Sequence, residues 1–443
     1  MNIKLSDHFT YRRLIRFVIP SIIMMVITSV YSIVDGAFVS NFVGKTSFAA
    51  VNLIMPVLMA AGTIGFLIGT GGSAVVAKTL GLGKNDKANE YFSMLVKSVI
   101  VIGIIVSVPV FIFMPQITKL LGASDALYTD CIIYGRILIA GNVFFMLQNC
   151  FQSFLVVAEK PTFGLVISIC TGLCNMLLDF IFMYYFRMGI VGAGLATVIA
   201  QVIGGIIPLI YFLRKNSSRL KIVHSRFNKR IFINTCTNGS SEMVSNLSMS
   251  LVSMFYNLQL MKFSGENGIA AYGVIMYVGF IFAAVFIGYS IGSSPLVSYN
   301  YGAENHVELK NLFKKSIIII MILSVVMLVS SELFCPVFSS IFVGYDKELL
   351  DFTVLAFRIY SVKYIFLGIN IFSSAFFTAL NNGRISAIIS FLRAFVFQTV
   401  AVFLLPVFFK TDGIWMSAVL SEVISLCVSM YYFITQKNKY HYM

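Results

Sequence analysis

The chain has 443 residues, 58% of them apolar and only 11% charged, with a formal net charge of +14. A soluble globular domain is about a quarter charged, so this composition excludes that class and points to a protein built for a bilayer. The excess of positive charge does not argue for nucleic acid, because the basic residues are distributed as a membrane protein distributes them.

A spanning helix needs about 20 mostly apolar residues. Twelve such runs follow one another, at 14–39, 48–77, 91–114, 129–158, 161–186, 189–213, 231–261, 268–297, 312–334, 352–380, 384–409 and 411–434. The first is too long for a cleavable signal peptide and is followed by no soluble domain. With the N-terminus inside, cytoplasmic segments together with the inner span ends (Arg16, Lys314, Lys315, Arg384) hold 21 of the 32 Lys and Arg. External loops hold six (Lys45, Lys119, Arg187, Lys262, Lys347, Lys410) and five lie within spans. This positive-inside asymmetry predicts a multi-pass protein of the inner or plasma membrane with both termini cytoplasmic. The longest polar stretch, Arg214 to Arg230, carries seven basic residues and reads as a cytoplasmic linker, 214–230, facing anionic lipid.

In chain order, the first run carries Pro20 near its start, which permits a bend, and Asp35 near its end. A carboxylate inside a span is costly, so it calls for a partner or a task. The second run is rich in glycine (Gly62, Gly65, Gly69, Gly71, Gly72), which lets helices approach closely in lipid. The turn Gly81-Leu82-Gly83-Lys84-Asn85-Asp86 lacks the ending of a phosphate loop and follows no strand, so it reads as a structural turn. The fifth run starts at Pro161 and carries Asn175 and Asp179; the sixth carries Thr197 and Gln201. Glu242 lies in the seventh run and Glu422 in the twelfth. Lys97, Arg136, Arg358, Lys363 and Arg393 also fall in spans, where most such side chains snorkel to an interface. The seven cysteines show no CxxC and read as apolar filler.

A shift of 221 residues lays the chain on itself without a gap. Gly44, Ala49 and Ile54 fall on Gly265, Ala270 and Ile275; Gly81 falls on Gly302, Pro115 on Pro336 and Asn149 on Asn370. Each copy holds six spans, an even number, so both enter the membrane from the same side. The expected architecture is an all-α integral membrane protein of twelve helices. An N-lobe (1–213) and a C-lobe (231–443) of six helices each are related by a pseudo-two-fold along the membrane normal, a plan suited to alternating access.

Helical rise of about 1.5 Å per residue puts Asp35, Asn175, Asp179 and Thr197 at similar depth in the outer half of the N-lobe, with Asn175 and Asp179 on one helix face. Two carboxylates, a carboxamide and a hydroxyl suit a hard cation such as Na⁺. Without a metal, two carboxylates so close repel, and one takes a proton. The repeat partners of these four positions are Tyr256, Val396, Val400 and Ala418, so the set is asymmetric and reads as a specialised task. Glu242 and Glu422, near mid-membrane, replace Ser21 and Gln201 of the first copy and are candidates for a second cation or substrate-charge site. With 42 Phe, 21 Tyr and 21 Met, the cleft between lobes is expected to be apolar and aromatic, fit for flat lipophilic cations.

The run FVIPSIIMMVITSVYSIVDGAFVSNFVG, the turn GLGKNDKANEYF, the segment NMLLD and GIVGAGLAT resemble multidrug and toxic compound extrusion (MATE) transporters. The resemblance is strongest to the bacterial branch of the DNA-damage-inducible exporter and staphylococcal-type pumps, and it covers nearly the whole chain. It implies two six-helix lobes exporting cationic drugs in exchange for H⁺ or Na⁺, with no further cofactor. It places a cation site on Asp35, Asn175, Asp179 and Thr197 and helix bending at Pro20. It also implies a C-lobe acidic site at Glu242, whose usual partner acid is replaced here, with Asn370 the nearest polar candidate beside Glu422. The expected function is therefore a monomeric multidrug efflux antiporter for small lipophilic molecules. The alternative is a lipid-linked saccharide flippase of the same superfamily, which would turn Arg136, Lys363 and Arg393 toward the cleft. An enzyme is not expected: there is no nucleophile–base pair or metal set, and no His lies deep in a span.

Overall fold

The computed structural model describes residues 3–443, which are helical and loop, with no strand among them. Nine described helices are long and apolar enough to cross a membrane. Two of these are double: 229–302 turns at Gly265 and 383–440 at Lys410, where the backbone leaves helical geometry. A further span is broken, Lys347–Ser361 and Tyr364–Ala379 meeting at 47°. The spans are therefore twelve. They are α1 (Tyr11–Phe38), α2 (Lys45–Gly81), α3 (Asn85–Ile112), α4 (Asp125–Val157), α5 (Pro161–Asp179) and α6 (Gly189–Leu213), then α7 (229–264), α8 (266–302), α9 (His306–Val343), α10 (347–379, broken), α11 (383–409) and α12 (411–440). Many run past the apolar windows read from sequence, because backbone caps rather than hydropathy end a helix. Asn228, Asn305, Asp346 and Asn382 each accept a bond from a first-turn N–H at the start of α7, α9, α10 and α11. α1 runs unbroken through Pro20.

The outward faces are apolar. Val101, Ile104, Ile105, Val108 and Ile112 of α3 recur every three or four residues and stand exposed, as do Ile322, Val325, Val326 and Val329 of α9. In water such stripes would be costly; against acyl chains they are the expected surface.

The two lobes meet near the end of the bundle that carries both termini, and the seam obeys the repeat. A Cβ placed on Gly81 would collide with the carbonyl oxygen of Tyr299, and one on Gly302 with that of Lys78. Residues 81 and 302 are repeat mates, and so are 78 and 299. Likewise a Cβ on Gly71 would strike Gly239, while one on Gly292 would crowd the mate of that residue, Val18. At Gly71, Gly81 and Gly302 the clash is with backbone, so glycine is required there on steric grounds, whereas Gly292 abuts side chains.

The segment before α1 ties the same end. Leu5 N–H donates to Glu159 Oε1 of the N-lobe at 2.8 Å, and Phe9 N–H donates to Glu308 Oε1 of the C-lobe at 2.9 Å. Between α6 and α7 the chain lies along α3: Lys221 N–H donates to Asn89 and Val223 N–H to Ser93, both at 2.8 Å.

Candidate functional site

In the N-lobe, α5 packs between α1 and α6. This brings the carboxyl groups of Asp35 and Asp179 within hydrogen-bonding reach of each other. As two acceptors they cannot satisfy one another. Asp35 Oδ1, both carboxyl oxygens of Asp179 and Asn175 Nδ2 are buried with no hydrogen-bond partner. Asn175 lies one turn from Asp179 on the same face, and the two are 2% and 0% exposed. Orphaned buried oxygens are rare and costly, and here they converge on one point. A hard cation or a shared proton would satisfy them, so the donor set fits either.

Thr197 lies on the neighbouring α6, its hydroxyl donating to the carbonyl of Ala193 at 3.0 Å. That bond leaves its oxygen free to accept or ligate. One turn on, Gln201 Oε1 is also buried without a partner. Two phenols escaped the sequence reading. Tyr31 faces Asp35, and fully buried Tyr134 of α4 is close enough to act electrostatically on both Asp35 and Asp179. Tyr31 was within reach of sequence reasoning, being one turn before Asp35; Tyr134 was not, because only helix packing brings α4 there. Directly after Asp179 the chain winds into a π-helical segment, Phe180–Tyr185, a distortion often found at functional positions.

The C-lobe holds a second site, a partly open and mainly apolar cavity of about 200 Å³ walled by Met249, Tyr256, Tyr272, Met276, Phe280 and Tyr360. Glu242, Lys363, Arg393 and Glu422 all line it. Glu422 is held firmly. Asn370 Nδ2 donates to its carboxylate at 2.7 Å and its carbonyl at 2.9 Å, Arg393 Nη1 approaches at 3.4 Å, and Ser429 supports Asn370 at 3.0 Å. Asn370 is thus an orienting partner of Glu422. Among the described residues Glu242 has no ion-pair partner, and its side chain also reaches a small cavity where the lobes meet. Lys363 sits at the break in α10, with Nζ 3.7 Å above the Tyr360 ring. Arg393 rides the π-helical segment Leu392–Phe397.

Two expectations need correction. Lys363 and Arg393 do not snorkel; they point into protein, where a carboxylate and aromatic faces make burial tolerable. Arg136 instead stacks on Phe111 at 5.3 Å, and Lys97 reaches Ser225. Nor is the small inter-lobe cavity aromatic: Thr70, Ser73, Ser153, Ser290, Ser294 and Thr378 line it together with Ile287, Ile291 and Ile371, so its wall is mainly apolar but carries no ring. Tight lobe contact leaves room for small side chains, and the rings gather inside the C-lobe.

Comparison with known proteins accords with this architecture. The MatE family model matches twice, over residues 20–181 and 243–404. The multidrug export protein MepA of Staphylococcus haemolyticus (strain JCSC1435) is 23% identical over 434 residues, covering 97% of this chain and 94% of the relative. A MATE crystal structure in the straight conformation superposes with a TM-score of 0.93 at 21% identity, over 99% of this chain and 98% of that one. An outward-facing multidrug resistance MATE transporter of the MOP superfamily gives 0.92 at 21% identity, over 98% and 97%.

Proposed function

The chain belongs to the MatE family, and on that premise we propose that it is a multidrug efflux antiporter, exporting small lipophilic compounds by alternating access in exchange for H⁺ or Na⁺. The observation that carries this reading is the Asp35–Asp179 pair, two acids with three buried oxygens lacking any donor. An incoming cation joins the two carboxylates; its departure restores their repulsion and drives α1 and α5 apart. Asp35, Asn175, Asp179 and Thr197 are the ligands in this scheme, and Pro20 supplies the weak point at which α1 can bend. The Lys and Arg distribution supports cytoplasmic termini, which puts the glycine seam at the cytoplasmic side. The protein works as a monomer, because each chain carries both lobes.

The flippase reading is the weaker one. Of its three candidate cations, Arg136 is engaged with Phe111. Lys363 and Arg393 share their cavity with two glutamates, so it offers no net positive field to a diphosphate.

The test is ethidium efflux from vesicles under a proton or a sodium gradient imposed separately. Asp35→Asn and Asp179→Asn should each lower the initial rate by about tenfold or more while the protein still inserts. Undiminished efflux in both variants would overturn the reading, and the gradient that drives the wild type identifies the coupling ion.

A further inference from the structure

We propose that a recess between the lobes, at the end of the bundle that carries both termini, binds the headgroup phosphate of an anionic phospholipid from the leaflet on that side. The recess lies apart from the N-lobe acids and from the C-lobe cavity, and its role does not depend on what the protein exports.

Three observations carry it. The first is charge. The recess, about 590 Å³ in volume, is lined by Lys78, Lys84, Lys87 and Arg384 and by no acid. None of the four has an ion-pair partner among the described residues. Across the α2–α3 turn a neighbouring recess sets Asp86 beside Arg219 and Lys221. The unbalanced charge therefore belongs to this place and not to the whole basic surface. Walls of one sign focus their field on the hollow between them, and a phosphate group is the anion that several Lys and Arg can share.

The second is construction. The lysines come from α2, α3 and the turn between them, and Arg384 from the first turn of α11 in the other lobe. Asn238 Nδ2 donates to Asn381 Oδ1 at 2.9 Å, and Asn238 Oδ1 accepts from Gly383 N–H at 3.0 Å. Asn381 Nδ2 donates to the Ala74 carbonyl of the N-lobe at 3.3 Å. These bonds fix the floor and hold the start of α11 against α2. Lys78 is braced across the seam, its Nζ 4.7 Å above the Tyr301 ring.

The third is the repeat. The end of α2, the start of α3 and the α10–α11 turn have as mates the end of α8, the start of α9 and the α4–α5 turn. In that second place the tail before α1 fills the space. Leu5 is 0% exposed, its N–H donates to Glu159 at 2.8 Å, and its carbonyl accepts from Asn300 Nδ2 at 3.5 Å. Glu308, the mate of Lys87, takes the N–H of Phe9. One half thus closes the position with its own backbone and an acid. The other presents a lysine there, and Lys84, Lys87 and Arg384 are exposed.

The rim points to a lipid as the source of the phosphate. Leu82 and Ile233 line the recess and are 47% and 50% exposed. Apolar side chains beside a cationic hollow match an acyl chain beside its headgroup.

The test is native mass spectrometry of the full chain in detergent, with phosphatidylglycerol, phosphatidylcholine and sn-glycerol 3-phosphate as probes. Wild type should hold one phosphatidylglycerol about tenfold more tightly than phosphatidylcholine. Lys87→Gln with Arg384→Gln should weaken phosphatidylglycerol by about tenfold, whereas Arg384→Lys should retain it. Lys215→Gln with Lys221→Gln removes the same charge from the linker and should leave the affinity unchanged. Equal affinity of the wild type for the two lipids, a comparison that needs no variant, would overturn the inference. So would an equal loss in both double variants, which would mean diffuse attraction. Glycerol phosphate held as tightly as phosphatidylglycerol would overturn it too, by assigning the recess to a soluble phosphate.

Discussion

Asp179 shows what a single residue can disclose. A carboxylate 0% exposed with neither oxygen bonded is an arrangement that a purely architectural cluster would avoid, since an unpaired buried polar group costs about 1–3 kcal/mol. Asp35, Asn175 and Asp179 were legible in the sequence because acids in apolar runs are conspicuous. Tyr134 was not, since a tyrosine in a helix has many ordinary reasons to be there. Asn370 and Glu422 show the opposite case: once bonded to Asn370 and Arg393, Glu422 is a satisfied group. Asn370→Ala should therefore destabilise the C-lobe by about 1–3 kcal/mol by leaving Glu422 and Ser429 short of partners. A lowered melting temperature for the purified protein checks this, and an unchanged one refutes it.

At the scale of elements, the two halves solve the same turns differently. Residue 189 is glycine with φ 58°, but its repeat mate is Lys410 with φ 50°. A side chain in that region carries strain of about 1–3 kcal/mol. Lys410→Gly should therefore raise the melting temperature, and a fall would mean that the strain is not there. The segment before α1 is a second such case. Glu308 gathers Phe9 N–H, His8 Nδ1 at 2.6 Å and Asn311 Nδ2 at 2.8 Å, while Glu159 holds Leu5 N–H and pairs with Arg219 at 3.3 Å. A short tail thus strings one lobe to the other. Glu308→Ala should free residues 4–10, read as faster amide hydrogen exchange at Phe9; unchanged exchange would show that the tail is held elsewhere.

Across the whole molecule the seam decides which side is shut. Reciprocal contacts of Gly81 with Tyr299 and of Gly302 with Lys78 close one end about the pseudo-two-fold. The same glycine contacts would have to part for the cavity to open on that side. Gly302→Leu should hold the seam apart, because a leucine would meet the Lys78 carbonyl with no flexible neighbour to yield. Ser73, 3% exposed beside the inter-lobe cavity, reports on this. As a cysteine in a background lacking the native thiols, it should be labelled from the terminus-bearing side faster in Gly302→Leu than with Gly302 intact. Equal labelling would mean that the seam is not the barrier.

Hydropathy, repeat spacing and stranded acids were enough to determine twelve helices, their duplication and the N-lobe candidates, because each is written in local chemistry at fixed intervals. Tertiary structure alone decided that Lys363 and Arg393 face inward, that Asn370 serves Glu422, and that the rings line the C-lobe and not the inter-lobe cavity. The reason is physical. Whether a helical side chain meets lipid, a neighbour or a cavity depends on the rotation of its helix and on bends such as that at residues 362–363, and those are set by contacts between residues far apart in the chain.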